Sequence, residues 1–86
     1  MTRVYIDVRE PHEFAMGHVD GAINVPPSSL MAGSPELVDV PRDVELVVYC
    51  RSGARSNAAM FYLRNMGFTN IINGINKDHV TAHYKK

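Results

Sequence analysis

The chain is short and carries no excess of either charge, and this excludes several classes of function. Its 86 residues are enough for one domain with one modest core. Nine Lys and Arg residues balance nine Asp and Glu residues, so the chain has no general attraction to nucleic acid or to an anionic membrane. The single cysteine, Cys50, excludes an internal disulfide and redox cycling by a cysteine pair.

The first part of the chain predicts strands and short helices in alternation. Val4–Val8 has the apolar pattern of a strand, and Pro11 suits the first position of a short helix that runs to Met16 and stops at Gly17. Ala22–Val25 predicts a second strand. Alternation of strand and helix over so few residues favours an α/β layer with parallel strands.

The segment from Ser28 to Arg42 is less regular. We expect Ser28 and Ser29 to cap one turn of helix. The run Gly33-Ser34-Pro35 should end this first turn, and Ser34 should cap a second helical turn.

The most informative stretch surrounds the only cysteine. Leu46–Tyr49 predicts a buried strand that runs directly into Cys50, and Asn57–Met66 predicts the longest helix. Arg51 and Arg55 follow the thiol with no acid between them. Nearby arginines and the start of a helix lower the pKa of a thiol, so the pattern predicts a reactive thiolate rather than a structural cysteine.

The C-terminal part predicts one further strand and a polar tail. Gly67 is expected to end the long helix, with Phe68 making the apolar contact that accompanies this kind of ending. Asn70–Ile72 predicts a short strand, and Asn73-Gly74 has the signature of a turn. A loose helix is expected from Asp78 onward.

Three stretches together carry a family pattern. They are Asp7-Val8-Arg9-Glu10 with Glu13-Phe14 and the run Gly17-His18-Val19-Asp20-Gly21-Ala22-Ile23-Asn24-Val25-Pro26; Cys50-Arg51-Ser52-Gly53-Ala54-Arg55-Ser56; and Met66-Gly67-Phe68 with Asn73-Gly74. In order and spacing they resemble the rhodanese (thiosulfate sulfurtransferase) family, and most closely its small single-domain type, like phage-shock protein E. The chain departs from that pattern at Asn73, where many members have glycine, and in having no tryptophan.

The resemblance implies a rhodanese-like α/β fold over residues 1–86, with a small, mostly parallel sheet flanked by short helices. It implies transfer of sulfane sulfur from thiosulfate to cyanide or a thiol acceptor through a persulfide on Cys50. Neither a cofactor nor a metal is expected. The expected partners are these small molecules and a sulfur-acceptor protein such as thioredoxin, but no nucleic acid and no membrane, and the protein is expected to be a monomer.

The resemblance also assigns roles to individual residues. Cys50 is the nucleophile, and Asp7, Arg9 and His18 support its loop. In this assignment Arg55 braces the loop by pairing with Asp7. The residues expected to bind substrate are Arg51, Ser52, Gly53, Ala54, Arg55 and Ser56.

Three residues of the first motif, His18, Arg9 and Glu13, are expected to have structural rather than catalytic roles. His18 is expected to hold the turn from Gly17 to Asn24 by hydrogen bonding. The alternative role is that of a general base, but attack by a pre-formed thiolate needs no base. Arg9 and Glu13 are expected to form a surface or edge ion pair.

Three other functions are alternatives to the thiosulfate enzyme: a phosphatase, a non-catalytic binding module and a persulfide relay. Phosphatases of the related fold use Cys-x5-Arg, whereas here Arg55 comes after four residues, which predicts a smaller pocket. A non-catalytic binding module would typically lack Cys50. A relay that accepts persulfide from a partner protein differs only in its donor. The expected location is the cytoplasm if Met1 is the native start, and the periplasm if a signal peptide precedes it.

Overall fold

The computed structural model describes residues 3–85. Strands and helices alternate along these residues, which confirms the predicted α/β class. The elements are β1 (Arg3–Asp7), α1 (Pro11–Ala15), β2 (Ile23–Asn24), α2 (Pro27–Met31), a 3₁₀ turn (Pro35–Leu37), β3 (Glu45–Cys50), α3 (Ala54–Asn65), β4 (Asn70–Asn76) and α4 (Lys77–Tyr84).

The four strands form one parallel sheet in the order β2-β1-β3-β4. β3 lies in the middle, and its residues from Leu46 to Cys50 are buried on both faces. One face packs against an apolar cluster that includes Leu63 and Phe68, and the other against Val19 and Val80. Because the strands are parallel, their carboxyl ends meet at one edge, where parallel sheets usually place their sites.

The helix after Cys50 begins earlier than the sequence predicted. α3 starts at Ala54 rather than at Asn57, after Gly53, whose φ of 96° lies in the left-handed region that favours glycine. The end of α3 matches the prediction: Gly67 has a φ of 101°, and the buried Phe68 donates its N–H to the carbonyl of Leu63 at 3.2 Å.

The predicted serine caps are wrong. α2 begins at Pro27, with Pro26 at the N-cap position, and no side chain caps it. Ser34 precedes the 3₁₀ turn but makes no side-chain cap, and its φ is 50°. Pro27 instead sets the start of α2, because it occupies the first helical position, where a backbone N–H would have no partner in the helix.

The predicted turn at Asn73-Gly74 is also wrong, because both residues lie inside β4. Pairing with β3 extends the strand, with a shift of register opposite Val48 and Tyr49. Gly74 is required for space: a Cβ there would lie 2.5 Å from Cγ2 of Val80 and 2.9 Å from Cγ1 of Val47. The glycine therefore permits α4 to pack closely on the sheet.

We expect Gly74→Ala to lower the free energy of unfolding by about 1–3 kcal/mol, the usual cost of overpacking a core. The measurement is urea denaturation. Val80→Ala removes the closest colliding methyl group, so the double variant should be more stable than the sum of the two single effects. Strictly additive effects would contradict the steric explanation.

Candidate active site

The thiol of Cys50 lies at the carboxyl end of β3 and is enclosed by the loop that follows. The residue is only 2% exposed. The backbone N–H groups of Gly53 and Ser56 donate to Sγ at 3.2 and 3.3 Å. Burial raises the pKa of the thiol, but hydrogen bonds from the Ser56 hydroxyl and from the N–H groups of Ser56, Ser52 and Gly53 outweigh it and lower the pKa to about 7. The geometry therefore favours a thiolate near neutral pH.

The predicted substrate-binding residues occupy different positions around this sulfur. Arg51 and Ser52 are exposed in the loop. Ala54 is the exposed first residue of α3, Arg55 is half-buried, and Ser56 is buried. Within this set, the backbone N–H groups of Gly53 and Ser56 donate to Sγ directly.

A network of side-chain hydrogen bonds supports the loop from β4. The Ser56 hydroxyl contacts the carbonyl oxygen of Gly53 at 3.1 Å and Oδ1 of Asn73 at 2.6 Å. Nδ2 of Asn73 also donates to the Gly53 carbonyl at 3.1 Å. Asn73 was predicted as a turn residue and as a departure from the family pattern, not as a residue that contacts the loop. That contact depends on the extension of β4, which no local signal indicated.

Asp7 is fully buried at the end of β1, and its charge is matched by Arg9. Nε of Arg9 donates to both carboxylate oxygens at 3.0 and 3.2 Å, and Nη2 donates at 2.7 Å. Tyr49 OH donates to Oδ2 at 2.8 Å. Burial raises the pKa of Tyr49 far above its ordinary value, and the Asp7 carboxylate raises it further, so this hydroxyl remains a donor.

The predicted pair of Arg55 with Asp7 is wrong. Arg55 instead forms a two-pronged pair with Glu13 of α1, through Nη1 to Oε1 at 2.8 Å and Nη2 to Oε2 at 3.1 Å. The expected pair of Arg9 with Glu13 is wrong for the same reason. Arg9 lies two residues from Asp7 and occupies its carboxylate, which leaves Glu13 for Arg55.

His18 contacts α1 rather than the turn it was predicted to hold. The carbonyl oxygen of Phe14 accepts a hydrogen bond from its Nδ1 at 2.8 Å, and the two rings stack with centroids 3.6 Å apart. The side-chain amide of Asn24 holds the turn, by donating to the carbonyls of Asp7 and Arg9.

A pocket of about 230 Å³ opens above Cys50. Three of its side chains carry positive charge and one carries negative charge. Its lining residues are Arg9, Cys50, Arg51, Asn76, Lys77 and Asp78. Lys77 was not among the predicted site residues, although it lies at the carboxyl end of a parallel strand, where site residues are expected. The predicted strand ended at Ile72, whereas β4 runs to Asn76, so the sequence did not indicate that Lys77 follows the end of the strand.

Residues 3–85 contain neither a cluster of potential metal ligands nor a helix that could span a membrane. No group of three or more His, Cys, Asp or Glu side chains in this range could hold a metal ion. None of its helices is long and apolar enough to cross a membrane.

We expect the Glu13–Arg55 pair to contribute about 1 kcal/mol to stability, since it is bidentate but partly exposed to water. Arg55 lowers the pKa of Glu13 from 4.5 to about 2. A carboxylate whose pKa is lowered by folding stabilises the fold at pH values above its pKa in the unfolded state. It loses that contribution as the pH falls through its pKa in the folded state.

The check is urea denaturation of the wild type and of Arg55→Gln between pH 2 and 6. The stability difference should be full above pH 4.5 and should shrink toward pH 2. Arg64→Gln, at an exposed position near the other end of α3, is the matched control. A difference that does not change with pH would contradict this role.

Comparison with known proteins identifies the family. A sequence model described as the Rhodanese-like domain matches residues 2–76. A sulfurtransferase from Allochromatium vinosum is 35% identical over 68 residues, covering 79% of this chain and 61% of that protein. A tRNA uridine(34) hydroxylase from Pectobacterium carotovorum is 34% identical over 71 residues, covering 79% of this chain but only 20% of the hydroxylase. The chain thus spans less than two thirds of the length of either relative.

A solved structure extends the match to the fold. A rhodanese from E. coli, determined with anions, superposes with a TM-score of 0.78 at 30% identity, and the match covers 91% of each chain. The parallel sheet and the helices around it are therefore those of the rhodanese fold. The chain belongs to the rhodanese-like family, whose members include named sulfurtransferases.

Proposed function

We propose that the protein is a thiosulfate sulfurtransferase that carries sulfane sulfur as a persulfide on Cys50. The observation that supports this most directly is the position of Sγ. It is the only cysteine sulfur, its pKa is about 7, and backbone N–H groups donate to it from the loop that leads into α3. Such donors stabilise negative charge on sulfur before and after transfer.

The proposed reaction has two steps. In the first, the Cys50 thiolate attacks the outer sulfur of thiosulfate. A sulfur–sulfur bond forms to Cys50, the bond to the sulfonate sulfur breaks, and sulfite leaves with the electron pair. In the second, cyanide or a thiolate attacks the outer persulfide sulfur, and the Cys50 thiolate is restored. Covalent relay of this kind divides one transfer into two steps.

The charges around the pocket support an anionic donor. Arg51 and Lys77 line the pocket beside Cys50, and Asp78 is the acidic residue of its lining. Arg9 also lines it, while its guanidinium pairs with Asp7. Thiosulfate carries two negative charges, which Arg51 and Lys77 are placed to attract. The similar E. coli rhodanese was determined with anions, which agrees with an anionic donor.

Intact mass measurement tests the persulfide. Mixing with thiosulfate should add the mass of one sulfur atom, and cyanide should remove it. Cys50→Ala should abolish the adduct. Absence of the adduct with thiosulfate, but its formation with a persulfide donor, would favour the relay alternative. No adduct with either donor would refute the proposal, and Cys50-dependent hydrolysis of p-nitrophenyl phosphate would favour a phosphatase.

We expect Arg51→Gln and Lys77→Gln each to raise KM for thiosulfate about five- to tenfold, since each removes roughly 1 kcal/mol of attraction for an anion. The fold should be unaffected, because both residues are exposed. Steady-state kinetics with thiosulfate and cyanide provide the measurement. Arg64→Gln is the control for loss of one charge elsewhere, and an equal change in KM for this variant would contradict a local effect.

A further inference from the structure

The hydroxyl of Ser56 has one hydrogen and three neighbouring acceptors. Its oxygen lies 2.6 Å from Oδ1 of Asn73, 3.1 Å from the carbonyl oxygen of Gly53 and 3.5 Å from Sγ of Cys50. A hydroxyl donates only one hydrogen bond, although it accepts others. The direction of this hydrogen therefore decides whether Ser56 acts toward the sulfur as a donor or as an acceptor.

The amide of Asn73 is held in one orientation by contacts at both ends. Its Oδ1 accepts the N–H of Ile75 at 3.0 Å, and its Nδ2 donates to the carbonyl oxygen of Gly53 at 3.1 Å. Rotation of the amide would break both bonds, because Nδ2 would then face the N–H of Ile75 and Oδ1 would face the carbonyl oxygen of Gly53. The oxygen of Asn73 is thus fixed as the short-range acceptor for the Ser56 hydroxyl.

The two protonation states of Cys50 require different directions of that hydrogen. When the sulfur is a neutral thiol, its S–H can donate to Ser56 Oγ while Ser56 donates to Asn73, and each group is satisfied. When the sulfur is negative, it has no hydrogen and needs donors. It already accepts the N–H groups of Gly53 and Ser56, and the Ser56 hydroxyl becomes a further donor only by leaving Asn73 and turning toward Sγ. Asn73 and the sulfur therefore compete for one hydrogen.

We propose that Asn73 is a positioning residue that holds the Ser56 hydrogen while Cys50 is neutral and releases it when the sulfur becomes negative. The inference rests on the proposed function, because the negative sulfur is the thiolate or the persulfide of that reaction. Asn73 restrains the acidity of the resting thiol, and removing it takes away the nearest acceptor that competes with the sulfur for the Ser56 hydrogen. It does not contact the substrate.

Other charged groups face the sulfur from several elements. Arg55 faces it from α3, while Arg9 and Arg51 line the pocket from the end of β1 and from the loop. Lys77 and Asp78 line it from α4. Replacing Asn73 by alanine alters none of these charges but removes its bond to the Gly53 carbonyl, so an effect through the hydroxyl must be separated from an effect on the loop.

The test is the pH dependence of Cys50 alkylation by iodoacetamide, which reports the thiolate. The midpoint in the wild type should lie near pH 7. Asn73→Ala should lower it by about half to one pH unit, the equivalent of one hydrogen bond. Asn73→Asp places a negative charge and a stronger acceptor at the same position, so it should raise the midpoint. Asn57→Ala, on the exposed side of α3, should leave it unchanged.

The decisive comparison repeats Asn73→Ala in a Ser56→Ala background. With the hydroxyl absent, the Asn73 change should no longer move the midpoint. An equal shift in both backgrounds would show that Asn73 acts on the loop and would overturn the proposal, as would an Asn73→Ala midpoint at or above that of the wild type. Alkylation does not depend on sulfur transfer, so failure here is distinct from failure to form the persulfide.

Discussion

A buried carboxylate at the carboxyl edge of the sheet determines how the surrounding charges are arranged. Asp7 is fully inaccessible to water, and an unpaired charge in that position would be very costly. Arg9 and the Tyr49 hydroxyl match it, and Tyr49 in turn accepts the N–H of Val19 at 2.9 Å. Nη2 of Arg9 also donates to the carbonyl oxygen of Gly17 at 2.7 Å. One carboxylate thus links β1, β3 and the turn after α1.

This arrangement explains which cations remain for the pocket. Arg9 pairs with Asp7, so the carboxylate of Glu13 is left to pair with Arg55. The Glu13–Arg55 pair joins the first turn of α3 to α1. Glu13 also accepts the N–H of Glu10, so one side chain both caps α1 and anchors α3. Arg51 and Lys77 are the two pocket cations without an acidic partner among residues 3–85.

Local signals in the sequence predicted the elements better than the contacts between them. The strand before Cys50, the helix after it and the ending at Gly67 and Phe68 each depend on residues close together in the chain. The partner of Arg55 depends on three-dimensional geometry, and the acid that the family pattern suggested, Asp7, is already used by a nearer arginine. The positions of Cys50 and of the arginines near it were predictable, whereas the acidic partner of Arg55 was not.

The end of β4 shows why a turn signal can fail. Asn73-Gly74 favours a turn locally, but six residues of β4 align with β3, and sheet pairing overrides weak local preferences. The glycine is needed because α4 packs against it, and the asparagine because its side chain contacts the loop. Both residues are explained by long-range contacts that the dipeptide does not encode.

The backbone next to Asn73 is strained, and this strain favours a specific role for the asparagine. Ile75 has a φ of 74°, a conformation that costs a β-branched residue about 1–3 kcal/mol. Its N–H donates to Oδ1 of Asn73, as in an Asx turn, and its side chain packs near Gly53. A glycine at position 73 would remove the amide that fixes both Ile75 and the hydroxyl of Ser56. The strained backbone at Ile75 therefore accompanies the hydrogen bond that holds Oδ1 of Asn73 beside the Ser56 hydroxyl.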